Sequence, residues 1–165
     1  MSAEPTDLVA IYLEDHRAGA AGGVALSRRI ADRYGDEPGF ESVVSLADDI
    51  RDDERSLDAI RAGTGADGGC VKRLAAVIGE RLARLKLNGT VVRPSPLSRV
   101  IELEALTIGV VGKRSGWLGL RAFAGGPELV GVDLDELVRR ADAQIEELER
   151  LHTLASELAF GGSDR

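Results

Sequence analysis

Carboxylates and imidazoles inside a helical bundle can ligate a cation, trade a proton or pair with a buried base. This chain sets such groups among apolar residues at helical spacing. On the first of four long amphipathic stretches the stripe reads Leu8, Tyr12, Asp15, Gly19, Gly22, Leu26, Ile30, with His16 beside Asp15. On the second it reads Val43, Leu46, Ile50, Asp53, Leu57, Ile60, with Glu54 at its shoulder. On the third it reads Leu97, Ile101, Glu104, Ile108, Val111, Ser115, Leu118. On the fourth it reads Leu134, Val138, Ala141, Ile145, Leu148, His152, Ala155, Ala159, with Glu149 one turn before His152. Each stripe is interrupted by one ionisable residue. Burying an unpaired charge is costly, so Asp15, Asp53, Glu104 and His152 are expected to meet each other, a metal or water.

The elements that must position these groups are legible from caps and breakers. The pattern predicts helices over about 7–34, 39–62, 71–86, 97–123 and 133–160, with a loose tail at 161–165. Thr6 is the expected N-cap of the first helix and Gly35 its stop. Gly63-Thr-Gly-Ala-Asp-Gly-Gly69 breaks the second. Ser95 or Ser98 is expected to cap the third long helix. Asp133-Leu-Asp-Glu136 has capping-box spacing before the last. The fold class implied is all-α: a four-helix bundle with an additional shorter helix in the central connection. Antiparallel pairing sets Asp15 level with Asp53, and Glu104 level with His152. Two outcomes stay open. If residues 63–96 return the chain to the same end, all four groups converge. If they cross the bundle, the pairs stand roughly 15 Å apart at 1.5 Å per residue and act as separate salt bridges.

Composition narrows the functions. The chain has 165 residues, 44% hydrophobic, 30% charged and 4% aromatic, with a net charge of −7. That acidity excludes nucleic acid as a default partner. No apolar run approaches a membrane span, and the amino-terminal residues lack a basic start and an apolar signal core. The single cysteine, Cys70, can form neither an internal disulfide nor a zinc site. A cytoplasmic protein is expected. The acid run Asp48–Glu54 reads as a solvated face with Arg51 and Arg55 at pairing distance.

Glycines mark close packing. Gly19, Gly22 and Gly23 fall on the first helix, and Gly109, Gly112, Gly116 and Gly119 recur at spacings of three and four on the third long helix. Each mid-helix glycine costs up to about 1 kcal/mol against alanine. Such rows imply two helix backbones in close approach, within one chain or across a homodimer, so self-association is expected. Lys113 and Arg114 are expected to point outward, and Trp117 to pack at the rim or at a partner surface.

Glu149-Arg-Leu-His152 is a Glu-x-x-His on the last helix of a bundle. Together with Tyr12-Leu-Glu-Asp-His16, Ser95-Pro-Leu-Ser-Arg99, Glu102-Leu-Glu104 and Glu146-Glu-Leu-Glu-Arg-Leu-His152 it resembles an uncharacterised, actinobacterial group within the ferritin-like superfamily. The resemblance implies a bundle metal site drawing on Asp15, His16, Asp53, Glu104, Glu149 and His152, with iron or manganese as the metal and any activity oxidative. The sequence departs from the di-iron pattern on the second helix. That helix offers Asp48, Asp49, Asp52, Asp53 and Glu54 but no histidine. A degenerate or single-metal site fits better than a full di-iron centre. Two readings stand: a ferritin-like metal-binding bundle, or a non-enzymatic structural and interaction bundle with a buried Asp/Glu/His network and no metal.

Overall fold

The structure, a computed structural model, describes residues 5–63, 95–123, 129 and 131–161. They form four helices: α1 (Pro5–Tyr34), α2 (Ser42–Gly63), α3 (Pro96–Phe123) and α4 (Leu134–Phe160). There is no strand among the described residues. The expected helix at 71–86, Cys70 and residues 162–165 of the tail lie outside them. No described helix is long and apolar enough to cross a membrane.

Side-chain pairs fix the helix directions. Glu14 at the start of α1 meets Arg61 at the end of α2, so these two are antiparallel. His16 lies against Gly116 while Arg33 reaches Glu102, so α1 and α3 are antiparallel too. Arg121 meets Asp135 and Glu104 meets His152, which sets α3 against α4. Helices α2 and α3 therefore run parallel. Gly63 and Ser95 stand at opposite ends of the bundle, so the four groups do not converge, as in the second of the two outcomes above, but Asp53 pairs with Lys113 and Arg140 and not with Asp15.

Local chemistry explains the ends. Ser95 precedes Pro96, whose fixed φ suits the first helical position. Its hydroxyl accepts from the Ser98 N–H at 3.3 Å, and the Ser98 hydroxyl accepts from the Ser95 N–H at 3.3 Å. This is a capping box with serine at the third position in place of glutamate. Asp133 caps α4 by accepting from the Glu136 N–H at 2.9 Å. Two expected ends move. Helix α1 begins at Pro5, which leaves Thr6 inside it rather than capping it. Helix α2 begins at Ser42, because Glu37–Glu41 close turns in which Gly39 takes φ +88°. A side chain at Gly39 would be strained and would meet Leu154.

The core is aliphatic, built on Leu13, Ile30, Ile50, Leu57, Leu103, Leu106, Leu148 and Leu151. A clasp closes the turn end. Arg99 lies 4.4 Å from the centroids of both Tyr34 and Phe40 and pairs with Glu37. Glu102 on α3 collects Arg29, Arg33 and the Tyr34 hydroxyl from α1. At the other end Arg17 joins Glu54 and Asp58.

Ser95→Ala removes one half of the reciprocal cap. We expect it to lower stability by about 1 kcal/mol, read from the urea midpoint at unchanged slope.

Candidate functional site

The stripe on α2 places its buried residues where the pattern predicts: Val43, Leu46, Ile50, Asp53, Leu57 and Ile60 are all buried. Asp53 is 1% exposed, so its carboxylate must find partners inside the protein. Lys113 Nζ donates to Oδ2 at 2.5 Å, Gln144 Nε2 donates to the same oxygen at 2.9 Å, and Arg140 donates to Oδ1. Lys113 also donates to the Gln144 side-chain oxygen. Three helices thus converge on one carboxylate. Burial pushes the Lys113 ammonium below its ordinary value, and Asp53 opposes that shift.

Lys113 was expected outside and is turned in. Its neighbours on the buried face are Leu106, Val110, Trp117 and Leu120. The spacing 106, 110, 113, 117, 120 is itself helical, so Lys113 interrupts a second stripe that runs opposite to the one read first. Trp117, expected at the rim, is 2% exposed for the same reason. Gln144 interrupts the buried row Ala141, Leu148, Leu151, Ala155 in the same way. That pattern is the signal that could have found both residues.

The other expected ligands are placed differently. Asp15, Glu104 and Glu149 are exposed, not buried. Glu104 falls on the outward side of α3 because its true core face is the opposite one. Glu104 Oε1 does meet His152 Nε2, at 3.1 Å, as a surface pair. No hydrogen bond or ion pair joins the Glu149 carboxylate to it. Asp53 meets α3 at Lys113, nine residues beyond Glu104, or about 14 Å along the helix. The two polar centres are therefore separate. Among the described residues no three His, Cys, Asp or Glu side chains gather as a metal site.

Asp15, His16 and Asp53 share a different feature. All three line a cleft of about 240 Å³ between α1, α2 and α3. Its walls are the glycines: Gly19 and Gly23 from α1, and Gly109, Gly112 and Gly116 from α3. Its floor is Ile50, Leu57, Leu106, Val110 and Trp117, with the Asp53–Lys113 pair. A Cβ added at Gly19, Gly23, Gly109 or Gly112 would meet nothing within 4 Å among the described residues. The expected close approach of backbones is therefore absent there, and Gly22 is simply exposed. Close approach does occur one turn further on. A Cβ at Gly116 would stand 2.8 Å from the His16 ring, and one at Gly119 would collide with the Tyr12 hydroxyl. Tyr12 and His16 pack edge to face, with centroids 4.5 Å apart, and seat their rings on these two glycines.

His16 is half-buried at the cleft, and this desolvation pushes its pKa below 6.5, with Asp15 opposing. The Trp117 Nε1–H, buried in the same lining, has no hydrogen-bond acceptor among the described residues. Comparison with known proteins finds no matching family model, no matching curated protein and no matching solved structure.

Lys113→Met leaves the Asp53 charge buried with Arg140 and Gln144 alone. Because Arg140 still compensates the charge, we expect a loss of about 1.5–3 kcal/mol by urea unfolding. The double variant Asp53→Leu/Lys113→Met should recover part of that loss, since Arg140 is already one-third exposed. A second expectation concerns pH. The folded His16 takes up its proton less readily than the unfolded one, so stability falls as pH drops below 6.5. Unfolding between about pH 7.5 and about pH 5.5 should show a smaller loss in His16→Gln than in the parent.

Proposed function

We propose that this chain is a ferritin-like bundle that has a binding role, with an internal ion network where a metal centre would otherwise stand. Helices α1 and α4 run against α2 and α3, with one long connection between α2 and α3, which is the helix order of ferritin-like folds. The residues do not fit a di-iron centre. The buried carboxylate already has two protein cations, and the Glu104–His152 pair lies at the surface. This favours the non-enzymatic reading of the two drawn from the sequence.

The observation that carries the binding role is the glycine-walled cleft. Four helical glycines each sacrifice helix propensity, and among the described residues nothing occupies the space they leave. A bound molecule in that space accounts for them. An apolar protein cavity of about 150 Å³ is known to accept benzene, so the larger cleft here suits a substituted aromatic ring or a short aliphatic chain. Asp15 and Glu54 in the lining disfavour an anion. The class is a neutral, mostly apolar small molecule.

Titration of the full chain with monocyclic phenols and aryl ketones, followed by amide NMR shifts, tests this. Saturable shifts at Gly19, Gly109 and the Trp117 indole are expected. Gly109→Leu, which fills the open space, should abolish them with a thermal midpoint no lower than the parent's. If no such probe binds, and iron or manganese binds stoichiometrically at micromolar levels instead, the metal-binding reading replaces this one.

A further inference from the structure

Helix α3 is apolar on the side that faces away from the bundle. Leu97, Ile101, Ile108, Val111 and Leu118 are exposed, Ile108 at 73%. With Glu104, Ser115 and Ala122 they recur at alternating spacings of four and three from 97 to 122. That is the a/d repeat of a two-helix coiled coil, sustained over more than three heptads. Isolated exposed apolar residues are ordinary, but a continuous seam on one helix is an interaction surface.

We propose that this seam pairs antiparallel with α3 of a second copy of the chain, about a two-fold axis between positions 109 and 110. The pattern itself names the occupant. In that register the layers are Ile108 with the second copy's Val111, Ile101 with its Leu118, Leu97 with its Ala122, and Glu104 with its Ser115. Every apolar position meets an apolar one. The two polar positions of the seam meet each other, where the Ser115 hydroxyl, which donates to the Val111 carbonyl within its own helix, can turn to donate to the Glu104 carboxylate. The flank follows suit, because Ala105 comes opposite Gly112 and two small residues let the backbones approach. Charge agrees as well. The carboxylate in the seam, Glu104, lies in the first half of α3, and Arg114 and Arg121 flank the second half. Antiparallel pairing lays Glu104 along the half that carries Arg114, whereas parallel pairing would set Glu104 on Glu104. An interface on a two-fold axis requires this kind of self-complementarity. The seam lies beside the cleft and not over its floor, meeting the cleft's wall only at Gly112, and its test does not depend on the binding role above.

The test is a charge swap read by sedimentation equilibrium on the full chain, with circular dichroism confirming that each variant is folded. The parent is expected to be a dimer at micromolar concentration. Ser115→Glu places two carboxylates together twice per dimer and should raise the dissociation constant on the order of tenfold or more. Adding Glu104→Lys to the same chain should restore dimerisation. Positions 104 and 115 are eleven residues apart on one helix, beyond the reach of an intrahelical pair, so rescue can come only across the interface. A monomeric parent overturns the proposal, whether the seam then meets solvent or residues 64–94 of its own chain. So does a double variant that is no tighter than Ser115→Glu alone.

Discussion

The bundle is organised around one carboxylate that water cannot reach. Asp53 projects from α2 into the interior, and leaving it there unpaired would cost several kcal/mol. Its partners come from two other helices: Lys113 from α3, and Arg140 and Gln144 from α4. Aliphatic stripes tolerate a slip of one turn, because leucine packs against leucine in more than one register. A buried carboxylate bound by an ammonium, a guanidinium and an amide does not. The network therefore fixes α2, α3 and α4 relative to one another. Its hydrogen bonds satisfy what a metal would otherwise have to satisfy.

Helix α1 takes no part in that network. Ion pairs hold it at its ends instead, Glu14 and Arg17 to α2 at one end and Arg29 and Arg33 to Glu102 at the other. Its middle is left to pack as its side chains allow, and there it offers Gly19 and Gly23 to the glycines of α3. The glycines fall into two physical classes. Gly116 and Gly119 make room for the rings of His16 and Tyr12, so their lower helix propensity is offset by aromatic packing. Gly19, Gly23, Gly109 and Gly112 gain no such contact. The cleft is the consequence of a helix pinned at both ends and bare in between.

How much of this was legible follows from the faces of single helices. The stripe on α2 was unambiguous, because its other face is Asp48, Asp49, Asp52 and Arg55, and Asp53 was found directly. On α3 two opposite faces are apolar at heptad spacing, and periodicity cannot say which one turns inward. The stripe containing Glu104 was read as the core. The stripe containing Lys113 and Trp117 is the core, which only the packing of α1 and α4 decides. Lys113 was also concealed by its type, since a lysine on a helix is usually solvated. Of the four ionisable interruptions expected, Asp53 alone is buried; Lys113 takes the place of Glu104 on α3, the amide Gln144 that of His152 on α4, and on α1 His16 is half-buried. The level of Glu104 with His152 was readable from helix lengths alone, because antiparallel registry is arithmetic. Their exposure was not.

An amphipathic helix in a bundle needs one apolar face, and α1, α2 and α4 each meet that description. Helix α3, the most apolar of the four, carries two. Its inner face is fixed by Lys113 on Asp53, and that fixation dictates what the outer face presents. A helix turned about its axis to bury Ile101, Ile108 and Val111 would draw Lys113 away from Asp53 and strand a charge on α2. The ion network thus makes the exposure of the seam obligatory. The side of α3 that meets α1 is neither face but the strip of glycine between them, where side chains would have closed the cleft. One buried carboxylate accounts for both surfaces: it holds α3 in the only rotation that leaves its glycines toward α1 and its outer heptad toward solvent.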